Sequence, residues 1–167
     1  MKLVCAWCLK EMGTVEGSCR PDSEFSHGIC RSCRNNIEFQ EGVSIQRYID
    51  SFAIPIMVVD DNVVVKAVNK RACEMLSKEP GEIVQHLGGD VFECEYARHP
   101  GGCGKTVHCS GCTIRKVVTK TFTTGEPQFK IPATITPFDP DRIPVTAFVV
   151  SAVKCENMVM LRLERRG

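Results

Sequence analysis

The sequence is short of net charge and of long apolar runs. Its 21 Lys and Arg are offset by 20 Asp and Glu, leaving a formal charge of +1 over 167 residues. The balance is also local. In residues 1–40, Lys2, Lys10, Arg20, Arg31 and Arg34 stand against Glu11, Glu16, Asp22, Glu24 and Glu38. A nucleic-acid binder gathers positive charge to neutralise phosphates, so nucleic acid is disfavoured as a partner. No stretch approaches the roughly 20 apolar residues of a membrane span. The opening MKLVCAWCLK breaks its apolar run too early for a secretory signal core. A cytoplasmic protein with no membrane anchor is expected. Gly-x-x-x-x-Gly-Lys, His-Glu-x-x-His and Gly-x-Ser-x-Gly segments are all missing, and no enzyme is expected.

Cysteine, by contrast, is abundant, at 11 positions. The chain is long enough for one domain of about 100 to 150 residues plus a small appendage, with a core that needs no disulfide staples. In a reducing compartment such cysteines point to metal ligation or redox chemistry. They fall into two groups, at 5–33 and 94–112, with Cys73 and Cys155 standing alone.

The first group holds two Cys-x-x-Cys knuckles, Cys5 with Cys8 and Cys30 with Cys33. Each knuckle turns two thiolates toward one ion, and four thiolates closing a tetrahedral shell describe structural zinc. The segment between them is polar and rich in Gly and Ser, so the module is expected to depend on its metal for folding. Cys19 and His27 are left outside the shell, His27 as a supporting or exposed group. The segments CAWC and SHGICRSC resemble a zinc-ribbon-like appendage of bacterial sensory and regulatory proteins. The expected module is 1–40. Residues 41–52 are expected to form an amphipathic helical linker, with Ile45, Tyr48, Ile49 and Phe52 on one stripe that packs on its own domain or on a second subunit.

From residue 53 to 167 the pattern is that of an α+β domain. AIPIMVVD and VVVKAVN read as a hairpin about Asp60-Asp61-Asn62. A helix follows, with Ala72, Met75 and Leu76 inward, then a second short helix through Ile83, Val84 and Leu87. Residues 88–112 read as a Gly-rich loop and TIRKVVTKTFTTG as a helix stopped by Gly125 and Pro127. Three strands close the order, in QFKIPATIT, RIPVTAFVVSAV and ENMVMLRLERR. Strand, strand, helices and three strands give an antiparallel sheet with helices on one face.

IPIMVVDDNVVVKAVNKRACEMLS resembles the opening of a PAS sensor domain, with Asn69 at the start of the helix, and the turn at Gly125–Pro127 followed by three strands is similar to a PAS ending. The resemblance implies a five-stranded antiparallel sheet and a pocket between sheet and helices that holds a cofactor or small signal, and it implies frequent dimerisation. Cys94, Cys103, Cys109 and Cys112 match a subset of bacterial PAS domains that carry a cysteine, then Gly-Cys-Gly, then Cys-x-x-Cys before the connecting helix. Glycines beside Cys103 and Cys112 suit tight positive-φ turns around an ion, and the last thiolates precede a helix N-terminus.

Softness alone does not separate zinc from an iron-sulfur cluster at this second group. A dithiol/disulfide switch and passive buried thiols are the other readings. Covalent haem is excluded because Thr113 follows Cys112 where His is required. His86, His99 and His108 are axial-ligand candidates of the weakest kind. The Asn-Cys-Arg-Phe segment of light-sensing flavin PAS domains is missing. Cys73 reads as core filler, and Cys155 as a turn thiol with nothing beside it to activate it.

The expected function is a signal-sensing PAS protein without its own output domain, since the sheet runs to the end of the sequence. It would respond to redox state, oxygen or a small ligand through the cysteine-ligated loop and signal through a partner protein or a second copy. The alternative is a zinc-ribbon adaptor for protein or nucleic acid, with the PAS-like domain as a dimerisation platform.

Overall fold

The computed structural model describes residues 2–5, 8, 10–14, 25–32, 45–139, 141 and 147–166, with the side chains of 25–27 excepted. Cys19, Cys33, the His27 side chain, residues 41–44 of the expected linker and residues 142–146 of an expected strand lie outside that description. The chain divides into two compact units, Met1–Gly42 and Val43–Gly167.

In the first unit β1 (Lys2–Cys5) is central to a three-stranded sheet, between β2 (Glu11–Thr14) and β3 (Phe25–Gly28). β2 runs antiparallel to β1 and β3 runs parallel to it, with Cys5 opposite Gly28. Four-residue strands have little side chain to pack. Among the described residues of this unit only Cys5 and Cys30 are buried.

The second unit is a five-stranded antiparallel sheet of order β5-β4-β8-β7-β6. Its strands are β4 (Ile56–Val59), β5 (Val65–Val68), β6 (Gln128–Thr134), β7 (Ala147–Cys155) and β8 (Met158–Arg165). The chain makes the β4–β5 hairpin, inserts all its connecting helices, and returns through β6 and β7 to lay β8 beside β4. This is the PAS-like architecture that the sequence resemblance implies. β4 is buried at every position because it lies inside the sheet and is covered. Its apolar run, rather than an alternating one, follows from that.

Among the described residues, the helices that accompany this sheet are α1 (Ile45–Asp50), α2 (Lys70–Leu76), the one-turn α3 (Gly88–Val91) and α4 (Thr113–Thr124). The expected inward face of α2, Ala72, Met75 and Leu76, is buried. α4 buries Ile114, Val117, Val118 and Thr121, a stripe at helical spacing. It ends at Gly125, whose φ of +73° supplies the left-handed residue that a helix C-terminus favours. Phe92 stacks on Phe148 at 5.3 Å and joins the loop after α3 to the sheet. Tyr48 and Ile49 of α1 are buried within the chain.

The structure departs from the sequence expectation between residues 80 and 112. No second short helix runs through Ile83, Val84 and Leu87. Pro80–Glu82 form one 3-10 turn, turns continue through Gln85, and residues 85 and 86 meet the free edge of β5. There the Gln85 amide donates to the Val65 carbonyl and the Val65 amide to the His86 carbonyl. Edge pairing satisfies backbone groups that a helix would have satisfied internally. The expected loop 88–112 also carries order: α3, and 3-10 turns at Glu95–Arg98 and Val107–Gly111. Cys155 is the last residue of β7, not a turn residue.

Candidate functional site

In the first unit, the ligand atoms of Cys5, Cys8 and Cys30 all lie within 4.8 Å of one another. The backbone explains the convergence. β1 delivers Cys5 to the end of the sheet, where its amide donates to the Lys10 carbonyl at 2.8 Å and so closes the knuckle that carries Cys8. β3, in parallel register, brings Cys30 to the same end. The Cys5 sulfur accepts the amides of Cys8 at 3.5 Å and Cys30 at 3.3 Å, a pattern that favours a thiolate. The sulfurs of Cys8 and Cys30 stand 3.7 Å apart. A tetrahedral ion with sulfur ligands at about 2.3 Å sets its sulfurs about 3.8 Å apart. This group could hold a metal ion. Its expected fourth member, Cys33, lies outside the described residues.

The other four cysteines are arranged differently. Cys94, Cys103, Cys109 and Cys112 all line one cavity of about 50 Å³ in the second unit, closed on other sides by Val63, Phe92, Ile114 and Ile135. A single water needs about 10–15 Å³. Among the described residues, Cys5, Cys8 and Cys30 form the one group of three or more whose ligand atoms come within 4.8 Å of each other. All four thiols line this one space.

Each cavity thiol has its own surroundings. Cys103 accepts the Gly89 amide at 3.3 Å, and a Cβ on Gly89 would sit 2.8 Å from the Cys103 sulfur, so only glycine allows this approach. Cys109 accepts the Gly104 amide at 3.1 Å and lies 3.2 Å from the Thr106 hydroxyl. Partial burial opposes its ionisation, but the Thr106 and Gly104 bonds and the Arg115 charge outweigh it and hold this thiol below its ordinary range. Burial pushes the Cys94 thiol up, with a further push from Cys112 and Cys103. Cys112 occupies the N-cap position of α4 without a side-chain capping bond, at the positive end of a twelve-residue helix.

Within the loop 94–112 the positive-φ glycines lie around Cys103, at Gly101, Gly102 and Gly104. Gly111, beside Cys112, is not among them, so the expected second glycine turn is not left-handed. Among the described residues, His108 is the one histidine that reaches the cavity. It stacks on Tyr96 at 4.0 Å, and His99 meets both rings edge-on, so aromatic contacts join the two 3-10 turns of the loop. Val63 also lines the cavity, at a φ of +65° that costs a β-branched residue on the order of 1–3 kcal/mol. Burial pushes the thiols of Cys73 and Cys155 up.

The cysteine loop is tied to the helices by an ion pair. Lys78 and Glu93 meet at 3.0 Å with their side chains 12% and 10% exposed, directly before Cys94. Replacing Lys78 alone takes one cation away from a largely buried carboxylate. Lys78→Met is expected to cost about 3 kcal/mol in urea unfolding, and Lys78→Met with Glu93→Gln to recover most of that. Equal losses in the single and double variants would refute the pairing.

Sequence reasoning missed Gly89, Thr106 and Arg115. Arg115 could have been found, because it follows Cys112 by three residues on a helix and so shares its face.

Two solved structures align with most of the chain. The photoactive yellow protein domain from the sensor histidine kinase Ppr of Rhodospirillum centenum aligns over 75% of this chain and 95% of its own, at 12% identity and a TM-score of 0.44. The PAS domain of nitrogen regulation protein NR(II) from Vibrio parahaemolyticus aligns over 74% of this chain and all of its own, at 9% identity and a TM-score of 0.38. No protein-family model and no curated protein matches the chain. Among the described residues, no helix is long and apolar enough to cross a membrane.

Proposed function

We propose that the chain is a cytoplasmic redox or oxygen sensor whose PAS-like domain binds an iron-sulfur cluster through Cys94, Cys103, Cys109 and Cys112, and whose N-terminal module, 1–40, binds structural zinc through Cys5, Cys8, Cys30 and Cys33. The observation that carries this reading is the contrast between the two cysteine groups. Three sulfurs of the first crowd to the spacing of one ion, while all four of the second line a cavity several times the size of a water. A cluster core of several irons and sulfides needs its terminal thiolates further apart than one ion does. A bound cluster supplies one-electron redox chemistry and sensitivity to oxidants.

The chain's own residues then provide a way out for the signal. Cys112 is the N-cap of α4, and α4 packs its buried stripe on the sheet. Loss of ligation frees the loop 94–112 and removes the constraint on the first turn of α4, which is where the change passes to a partner protein or a second copy. No catalytic constellation is needed for this role.

The test is composition. Protein purified without oxygen is expected to be brown and to hold about one zinc per chain, with iron and acid-labile sulfide in equal amounts. Cys109→Ser is expected to lose iron and sulfide while keeping zinc. Colourless protein with two zinc ions and no sulfide would overturn the sensor reading and leave both groups structural.

A further inference from the structure

Among the described residues lining the cysteine cavity, only Arg115 carries a permanent charge. Its Nη2 donates to the Cys103 sulfur at 3.6 Å and to the Asn62 carbonyl at 3.3 Å. That carbonyl belongs to the β4–β5 turn, which is braced by the Asp60 carboxylate accepting the Asn62 and Val64 amides at 3.0 and 2.9 Å. The guanidinium is thus anchored by the hairpin, outside the cysteine loop that it touches. Gly104 leaves the room it occupies, since any Cβ there would run into the guanidinium. Its charge also reaches Cys109.

We propose that Arg115 is a positioning residue that sets the reduction potential of the cluster bound by Cys94, Cys103, Cys109 and Cys112, an inference that rests on the cluster reading above. One electron taken from a soluble low-potential donor adds one negative charge at iron, breaks no bond and moves no proton. A fixed cation and an N–H donated to a ligand sulfur both favour the more negative state. Arg115 therefore raises the potential and makes the reduced site easier to reach and harder to oxidise. The walls otherwise offer only apolar groups, amides, hydroxyls and the exposed His108, so no other fixed charge competes with it there.

The experiment is a dye-mediated redox titration of the anaerobic, cluster-loaded full chain, followed by bleaching of the visible absorption. Arg115→Gln and Arg115→Met are expected to lower the midpoint so that the ratio of reduced to oxidised protein at a fixed potential falls about tenfold, equivalent to about 59 mV for one electron. Arg115→Lys keeps the charge and is expected to fall between these variants and the wild type. Lys116→Gln, on the exposed side of α4, is expected to leave the midpoint in place. An unchanged midpoint in Arg115→Gln at full iron and sulfide content would overturn the proposal. Loss of the cluster from both neutral variants, with Lys116→Gln still loaded, would overturn it too, by assigning Arg115 to holding the loop. Wild-type protein without iron and sulfide would instead sink the cluster reading itself.

Discussion

Chelation of metal from the first unit, or Cys5→Ser, is expected to abolish the sheet β2-β1-β3. The strands are four residues each, and among the described residues of the unit only Cys5 and Cys30 are buried, both of them thiols of the proposed site. With the metal gone, the Cys5 sulfur loses the charge that makes it a good acceptor for the Cys8 and Cys30 amides. Structural zinc in such peptides contributes about 10–16 kcal/mol at neutral pH, far more than so small a sheet earns from its own contacts. Lys2→Ala is the natural contrast. It removes the Lys2–Glu11 ion pair, whose members are 58% and 57% exposed at 2.9 Å, and is expected to change stability by less than about 1 kcal/mol. Amide exchange at Leu3 and Val4 reads both effects, with zinc release followed by a chromophoric indicator. Protection that survives a strong chelator after all zinc has left would refute the metal dependence.

What could be read in the sequence, and what could not, follows the kind of force involved. α4 and the inward face of α2 were legible because burial imprints a helical period on Ala72, Met75 and Leu76 and on Ile114, Val117 and Val118. The convergence of Cys5, Cys8 and Cys30 was legible because the Cys-x-x-Cys spacing turns two thiols to one side. Residues 80–87 were misread because local turns hold 80–84 and backbone pairing with the edge of β5 holds 85 and 86, and neither leaves a periodic side-chain signature. The same holds for Val63, whose left-handed backbone contradicts local preference and is imposed by the turn beside the cavity. Gly88 packs against it so closely that an added Cβ would approach Val63 to 2.9 Å. That the second cysteine group lines a cavity was beyond spacing arguments, because the chain between the thiols decides it. Backbone hydrogen bonds bring Cys103 to Gly89 and Cys109 to Gly104, and Cys112 stands at the start of α4.

Asn69→Ala is expected to destabilise the second unit by about 3–5 kcal/mol. Asn69 is 1% exposed, and its side chain joins three separate pieces of backbone. The Oδ1 accepts the Ala72 amide at 3.0 Å, capping α2, and the Ile56 amide at 2.9 Å, at the start of β4. The Nδ2 donates to the Ile49 carbonyl of α1 at 3.0 Å and to the Ile54 carbonyl at 2.7 Å. Two of these groups have a second partner: the Ala72 amide also donates to the Asn69 carbonyl, and the Ile49 carbonyl also accepts the Phe52 amide. The Ile56 amide and the Ile54 carbonyl depend on the side chain, at about 1–3 kcal/mol each when orphaned, and the lost cap adds about 1 kcal/mol. Asn69→Asp separates the two roles. Aspartate caps a helix as well as asparagine does, but it sets an acceptor oxygen against the carbonyls of Ile49 and Ile54. It is therefore expected to lie within about 1 kcal/mol of the alanine variant in urea unfolding. Stability near wild type for Asn69→Asp would reduce Asn69 to a helix cap. Losses matching those of alanine make it the joint that holds α1, β4 and α2 together.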